Sequence, residues 1–111
     1  RNTLAHRLRL GAAVIGFIVS RIAADEAEIL SVAVARAQRG RGHARALLQV
    51  HLGHLAGHGV KTVFLEVEED NRPARPLYER AGFRGAGRRE RYYKTAGGEQ
   101  LNAVVMRRDL S

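Results

Sequence analysis

Between residues 27 and 67 the spacing of apolar side chains changes twice, and the first change falls on a pair of glycines. AEILSVAVA (27–35) is apolar on both faces for most of its length, the pattern of a central strand. Beyond RGRG (39–42), Ala44, Leu47, Leu48, Leu52 and Leu55 recur as one stripe of a helix that ends near Gly57 or Gly59. VKTVFLEV (60–67) then alternates, with Val63, Leu65 and Val67 on one face and Phe64 and Glu66 on the other. A helix lying between two central strands requires a mixed sheet.

The flanking segments add strands at both ends. NTLAHRLRL (2–10) and AVIGFIVSRIA (13–23) read as strands, with turns at Gly11 and at Asp25 and Glu26. Asn71 is expected to cap a short helix that runs to Ala81 and is closed by Gly82. Residues 83–93 and 100–109 read as two final strands joined by a turn at Gly97 and Gly98. No repeat, linker or low-complexity tract interrupts the 111 residues, so the chain is expected to be a single domain, 1–111. Its predicted class is α/β (α+β), a mixed, mostly antiparallel central sheet with flanking helices.

Composition narrows the partners. Seventeen arginines and two lysines set against eleven acidic residues leave a net charge of +8. Such a balance suits phosphates, nucleic acid or an acidic polypeptide, or else reflects only the base composition of a genome. The chain has no cysteine, which excludes disulfides, thiolate metal sites and a cysteine nucleophile. No run approaches a membrane span and no leader pattern is present, so a soluble, cytoplasmic protein with no membrane partner is expected.

Glycine costs a helix up to ~1 kcal/mol relative to alanine, so Gly40 and Gly42 at a helix start need a reason. A strand entering a glycine turn and then a helix leaves backbone N–H groups converging at the positive end of the helix dipole. A phosphate fits there if the side chains at 42 and 44 are small, with Arg39, Arg41 and Arg45 adding charge around it. A plain strand-to-helix turn explains a glycine pair equally well. No Gly-Lys-Ser/Thr follows, which excludes a P-loop, and the third glycine of a dinucleotide fingerprint is missing.

Arg39-Gly40-Arg41-Gly42-His43-Ala44 resembles the Arg/Gln-x-x-Gly-x-Gly/Ala signature of the GNAT superfamily of N-acetyltransferases. LEVEEDNRPARPLYERAGF (65–83), RRERYY (88–93) and AVVM (103–106) resemble further segments of that family in the same order, most like its RimI type, which acetylates the N-terminal alanine of ribosomal protein S18. The resemblance implies an acyl-CoA N-acyltransferase fold lacking the usual first strand and first two helices. It implies acetyl-CoA as cosubstrate, its pyrophosphate on residues 39–45 and its pantetheine arm along the backbone of Val32, Ala33 and Val34. It also implies that Asn71 and Tyr78 contact the coenzyme, that Glu66 is the general base and that Tyr78 is the general acid. Tyr92 and Tyr93 would border the peptide-substrate groove together with Glu66. Two departures stand out, Pro76 inside the helix of Tyr78 and Leu101 and Asn102 in place of an acidic pair.

The residues alone carry some of this chemistry. Alternation turns Glu66 away from the apolar face of its strand, as a base or as a solvated carboxylate. Tyr78 suits a proton donor only if held against the sulfur, and otherwise reads as a half-buried aromatic. Glu28 is a weaker alternative base. His51, His54 and His58 share a helix face at zinc-like spacing, but no nearby carboxylate or cysteine completes a site, so no metal is expected. Three functions follow for testing: acetylation of a protein N-terminus, with a ribosomal protein among the candidate substrates; acetylation of lysine or a small amine; and non-catalytic RNA or ribosome binding through Arg84, Arg88, Arg89 and Arg91. The last is disfavoured, because the six aromatics form no RNA-stacking motif.

Overall fold

A computed structural model describes residues 2–94 and 100–110, with the side chains of all of these except 89–94, 100 and 101. The elements follow the expected order: β1 (Thr3–Leu10), β2 (Ala13–Ala23), β3 (Glu26–Val34), α1 (His43–Gly57), β4 (Thr62–Glu68), α2 (Ala74–Arg80), β5 (Arg84–Lys94) and β6 (Gln100–Asp109). The six strands form one mixed sheet in the order β1-β2-β3-β4-β6-β5. The expected turn at Gly97 and Gly98 lies outside the described residues. Among those residues no helix is long and apolar enough to cross a membrane. The chain packs as two compact units, one built on residues up to Val63 with Asp109 and Leu110, the other on Phe64–Arg108.

In the first unit β1, β2 and β3 form an antiparallel meander, with Arg7 opposite Phe17 and Phe17 opposite Ala33. Helix α1 lies on one face of the meander, and Leu47, Leu48, Leu52 and Leu55 are buried with Ile15, Ile18, Ala27 and Ile29. These are the stripe residues expected from the helical period, Ala44 being half-buried. A Cβ at Gly16 would meet Ala33 O of the neighbouring β3 at 3.0 Å, so the strand pairing sets glycine there, while Leu47 Cδ2 of α1 lies at an ordinary contact distance of 3.7 Å. Strand β3 lies inside the sheet as expected, but only one of its faces is covered. Ala27, Ile29 and Val34 are buried, while Leu30 is 51% exposed. The expected strand start at residue 60 moves to Thr62, because Val60 N–H donates to Leu55 O at the end of α1 and Lys61 N–H to Asp25 O.

One polar cluster sits within this core. His51 of α1 is fully buried, as is Ser20 of β2. Ser20 Oγ lies 2.6 Å from His51 Nε2, and His6 Nδ1 lies 2.8 Å from His51 Nδ1. Either direction of the two hydrogen bonds satisfies His51 as a neutral ring, the hydroxyl and His6 each donating or accepting in turn. Burial, then the neighbouring His6 and His54, lower the pKa of His51 to about 4. The stripe of three helical histidines is thus divided: His51 uses both ring nitrogens in the core, and His54 and His58 remain exposed.

In the second unit, alternation along β4 buries Leu65 and Val67 and leaves Phe64 and Glu66 half-buried on the other face. β5 and β6 run antiparallel, with Arg84 opposite Arg107 and Glu90 opposite Asn102. α2 does not start from Asn71. It begins after Pro73, whose φ of −65° suits a helix start, and no side chain caps it. A residue before proline is disfavoured in the α region, so Arg72 interrupts any helix running back to Asn71. Asn71 instead donates its backbone N–H to Glu68 O in the preceding turn. Pro76 is the third residue of α2, where a helix has no intrahelical acceptor for the N–H that proline lacks. The other end closes as expected, Gly82 at φ +93° donating its N–H to Glu79 O.

Candidate active site

The first unit brings together the candidate phosphate loop. β3 ends at Val34, and the chain makes a short 3-10 turn at Arg36–Gln38 before the glycines. Gly40 and Gly42 have φ of +77° and +81°, a region that disfavours residues with a Cβ by roughly 1–2 kcal/mol. Gly40 is therefore required by the backbone, although the family signature leaves its position variable. Gly42 is the N-cap of α1, and among the described residues no side-chain cap hydrogen bond is made there. A Cβ on Gly42 would meet nothing within 4 Å, so the approach to the amides of the first turn is open.

Charge reinforces the loop. No acidic residue occurs between Glu28 and Glu66, and the first turn of α1 carries none. Arg41 and Arg45 are exposed beside the half-buried His43 and Ala44. Arg39 has a structural task as well, since its Nε donates to Val34 O at 3.1 Å and ties the loop back to the strand end. Four guanidinium N–H groups remain for other acceptors. Amides at the positive end of a 15-residue helix without a side-chain N-cap, open space at Gly42 and a segment with three arginines and no acidic residue suit a pyrophosphate. Val32 and Ala33, half-buried, and Val34, buried, precede this loop directly, with one backbone edge occupied by β2 opposite Ile18, Phe17 and Gly16.

The second unit carries the candidate proton-transfer groups. Glu66 is half-buried on the face of β4 opposite the apolar one. Tyr78, on α2, is half-buried with its ring edge-on to Phe83, centroids 6.1 Å apart. Burial pushes its phenol above the ordinary value of 10.0, which keeps the proton on the oxygen. Tyr92 and Tyr93 belong to β5, but their side chains lie outside the described residues, as does that of Leu101. Glu28, the alternative base, is instead held by Arg21 Nη2 at 2.7 Å, directly across the β2–β3 ladder.

Two polar arrangements in this unit have no signature in the sequence. Arg88 Nη2 donates to Glu69 Oε2 at 2.6 Å, and Asn102 Nδ2 donates to Glu69 Oε1 at 3.3 Å. Asn102 Oδ1 is buried and finds no hydrogen-bond partner among the described residues. Arg108 Nη1 donates to Ala81 O at 2.6 Å, at the C-terminal end of α2. Each pairing joins residues far apart in sequence, so no local pattern announces it.

Comparison with known proteins matches the acetyltransferase (GNAT) family over residues 3–83. The chain is 39% identical over 93 residues to the ribosomal protein bS18-alanine N-acetyltransferase of Haemophilus influenzae, covering 84% of this chain and 63% of that protein. It is 39% identical over 105 residues to the N-alpha-acetyltransferase RimI of Mycobacterium tuberculosis, covering 91% of this chain and 63% of that one. The crystal structure of the ribosomal-protein-S18-alanine N-acetyltransferase from Escherichia coli superposes with a TM-score of 0.90 at 33% identity, covering 99% of this chain and 70% of that one. The chain spans less than two thirds of the length of the curated relatives it matches.

Proposed function

Because this chain belongs to the acetyltransferase (GNAT) family, we propose that it acetylates the N-terminal α-amine of a protein, with acetyl-CoA as donor. The observation that carries the proposal is the turn at 39–45, where two positive-φ glycines lead into the N-terminus of α1 and neither the turn nor the first turn of the helix carries an acidic residue. The amides there, with Arg41 and Arg45, would hold the pyrophosphate, and the backbone of Val32–Val34 would pair with the pantetheine arm. Acetyl-CoA supplies the activated acyl group as a thioester. The names of the relatives point to an N-terminal alanine, and a ribosomal protein made and modified in the cytoplasm is the substrate of choice.

Two side chains carry the proton transfers, one accepting and one donating. A free α-amine has a pKa near ~8, against ~10.4 for lysine, so it needs little help to become the neutral nucleophile. Glu66 accepts the proton that the amine loses as its nitrogen bonds to the acyl carbon. Tyr78 gives its phenolic proton to the sulfur as the C–S bond breaks; burial holds the phenol above its ordinary pKa, so the oxygen carries its proton at neutral pH. Asn71, uncommitted as a helix cap, remains available for the coenzyme. Tyr92 and Tyr93 are proposed to border the groove for the first residues of the peptide.

Calorimetry with acetyl-CoA, followed by release of free thiol when a peptide with an N-terminal alanine is added, tests the proposal. Saturable binding and peptide-dependent thiol release are expected. Absence of coenzyme binding would overturn it.

A further inference from the structure

We infer that Arg108 is a positioning residue for Tyr78: it clamps the C-terminal turn of α2 from β6 and so fixes the phenol. The inference rests on the reading of Tyr78 as the proton donor. Helix α2 has only seven residues and no fully buried residue, and neither a side-chain cap nor an acidic residue supports its first turn. A helix this short is marginal unless something outside it holds it. Its N-terminal end has little to orient it, and its C-terminal end has a great deal.

Tyr78 belongs to that end twice over. Its carbonyl accepts the backbone N–H groups of Ala81 and Phe83, at 3.1 and 3.0 Å, and its ring rests edge-on against Phe83, which is only 3% exposed. The same turn is gripped by Arg108, whose Nη1 donates to Ala81 O at 2.6 Å. The guanidinium crosses directly over Gly82, where a Cβ would meet Arg108 Nε at 3.2 Å and Cδ at 3.3 Å. A cation bonded to a carbonyl at a helix C-terminus also complements the dipole there. Arg108 therefore holds the turn that holds both the backbone and the ring of Tyr78, without being a catalytic residue itself.

Arg108→Met keeps the length of the stem and removes the donor. With an N-terminal alanine peptide as acceptor, kcat is expected to fall about tenfold, as for a small misplacement of a reacting group, while the Kd for acetyl-CoA stays within about twofold. The decisive measurement is the pair with Tyr78→Phe. If Arg108 acts through the phenol, Tyr78→Phe/Arg108→Met has the kcat of Tyr78→Phe alone. Full activity in Arg108→Met, or losses that multiply in the double variant, would overturn the clamp while leaving the role of Tyr78 standing. Unchanged kcat in Tyr78→Phe would overturn both readings. Should Arg108→Met melt below the assay temperature, Arg108→Leu, which also lacks a donor, enters the same comparison under the same criteria.

Discussion

Lowering the pH from 7 to 4 should weaken this fold through the buried imidazole of His51. The ring is fully buried against Ser20 and His6, and its pKa falls from 6.5 to about 4, chiefly by burial. The unfolded chain binds a proton at His51 more readily than the folded one. The stabilising contribution is therefore complete above pH 6.5 and is lost as the pH falls toward 4. A shift of this size, at ~1.36 kcal/mol per unit, corresponds to about 3 kcal/mol. For a protein of this size that is roughly 10–20 °C in Tm, a large part of a typical total stability of ~5–15 kcal/mol. His6 contributes in the same direction, its pKa lowered by burial and then by His54 and His58.

The control for this prediction must remove the titrating group without stranding its partners. His51→Leu alone leaves the buried hydroxyl of Ser20 unsatisfied, at a cost of ~1–3 kcal/mol that is present at every pH. Ser20→Ala/His51→Leu replaces both by apolar groups and is the better reference. Urea titrations at pH 7, 6, 5 and 4 on both proteins subtract the carboxylates, which are common to them. The wild-type chain should lose about 2–3 kcal/mol more than the double variant between pH 7 and 4. Parallel pH profiles for the two proteins would refute the reasoning, because His51 would then titrate alike in the folded and unfolded chains.

Further predictions concern the site. Gly42→Val forces a β-branched residue to φ +81° and fills the open approach to the α1 amides, so the Kd for acetyl-CoA should rise at least ~10-fold by calorimetry, about 1.4 kcal/mol. Tyr78→Phe should lower kcat in steady-state assays with little change in coenzyme affinity, since only the phenolic proton is lost. Asn71→Ala should leave stability to urea within ~0.5 kcal/mol, because Asn71 caps no helix, and any loss should appear as weaker coenzyme binding. Glu28→Gln breaks an exposed cross-strand pair with Arg21 and should cost at most ~1 kcal/mol of stability, with kcat unchanged.

Periodicity made most of the fold legible. The alternation of Val63, Leu65 and Val67 and the stripe of Leu47, Leu48, Leu52 and Leu55 appear in the structure as read, since each depends only on which face of an element is covered. Reading went astray where a neighbouring residue overrode a local preference. Asn71 is a good cap by type, but Pro73 moves the helix start past it. The demand on residue 40 is a dihedral angle, which a family signature that records side chains leaves unmarked. At the site, the glycine turn and its charge were readable because they are contiguous. The tie from Arg39 to Val34, the grip of Arg108 on Ala81 and the burial of His51 against Ser20 were not. Each is a contact whose partner is set by packing and is absent from the spacing of apolar residues.

The choice of amine tests the account most directly. A peptide with a free N-terminal alanine and an internal lysine, incubated with the protein and acetyl-CoA, offers both nitrogens at one concentration. At pH 7 deprotonation costs ~1 kcal/mol for the α-amine and ~4–5 kcal/mol for lysine. A single carboxylate base such as Glu66 should therefore direct the acetyl group to the α-amine. Fragment-ion mass spectrometry of the product should find the added acetyl mass on the N-terminal residue and the lysine unmodified. Acetyl on the lysine at an equal or greater rate would contradict N-terminal specificity, and no acetylated product at all would contradict the proposed activity itself.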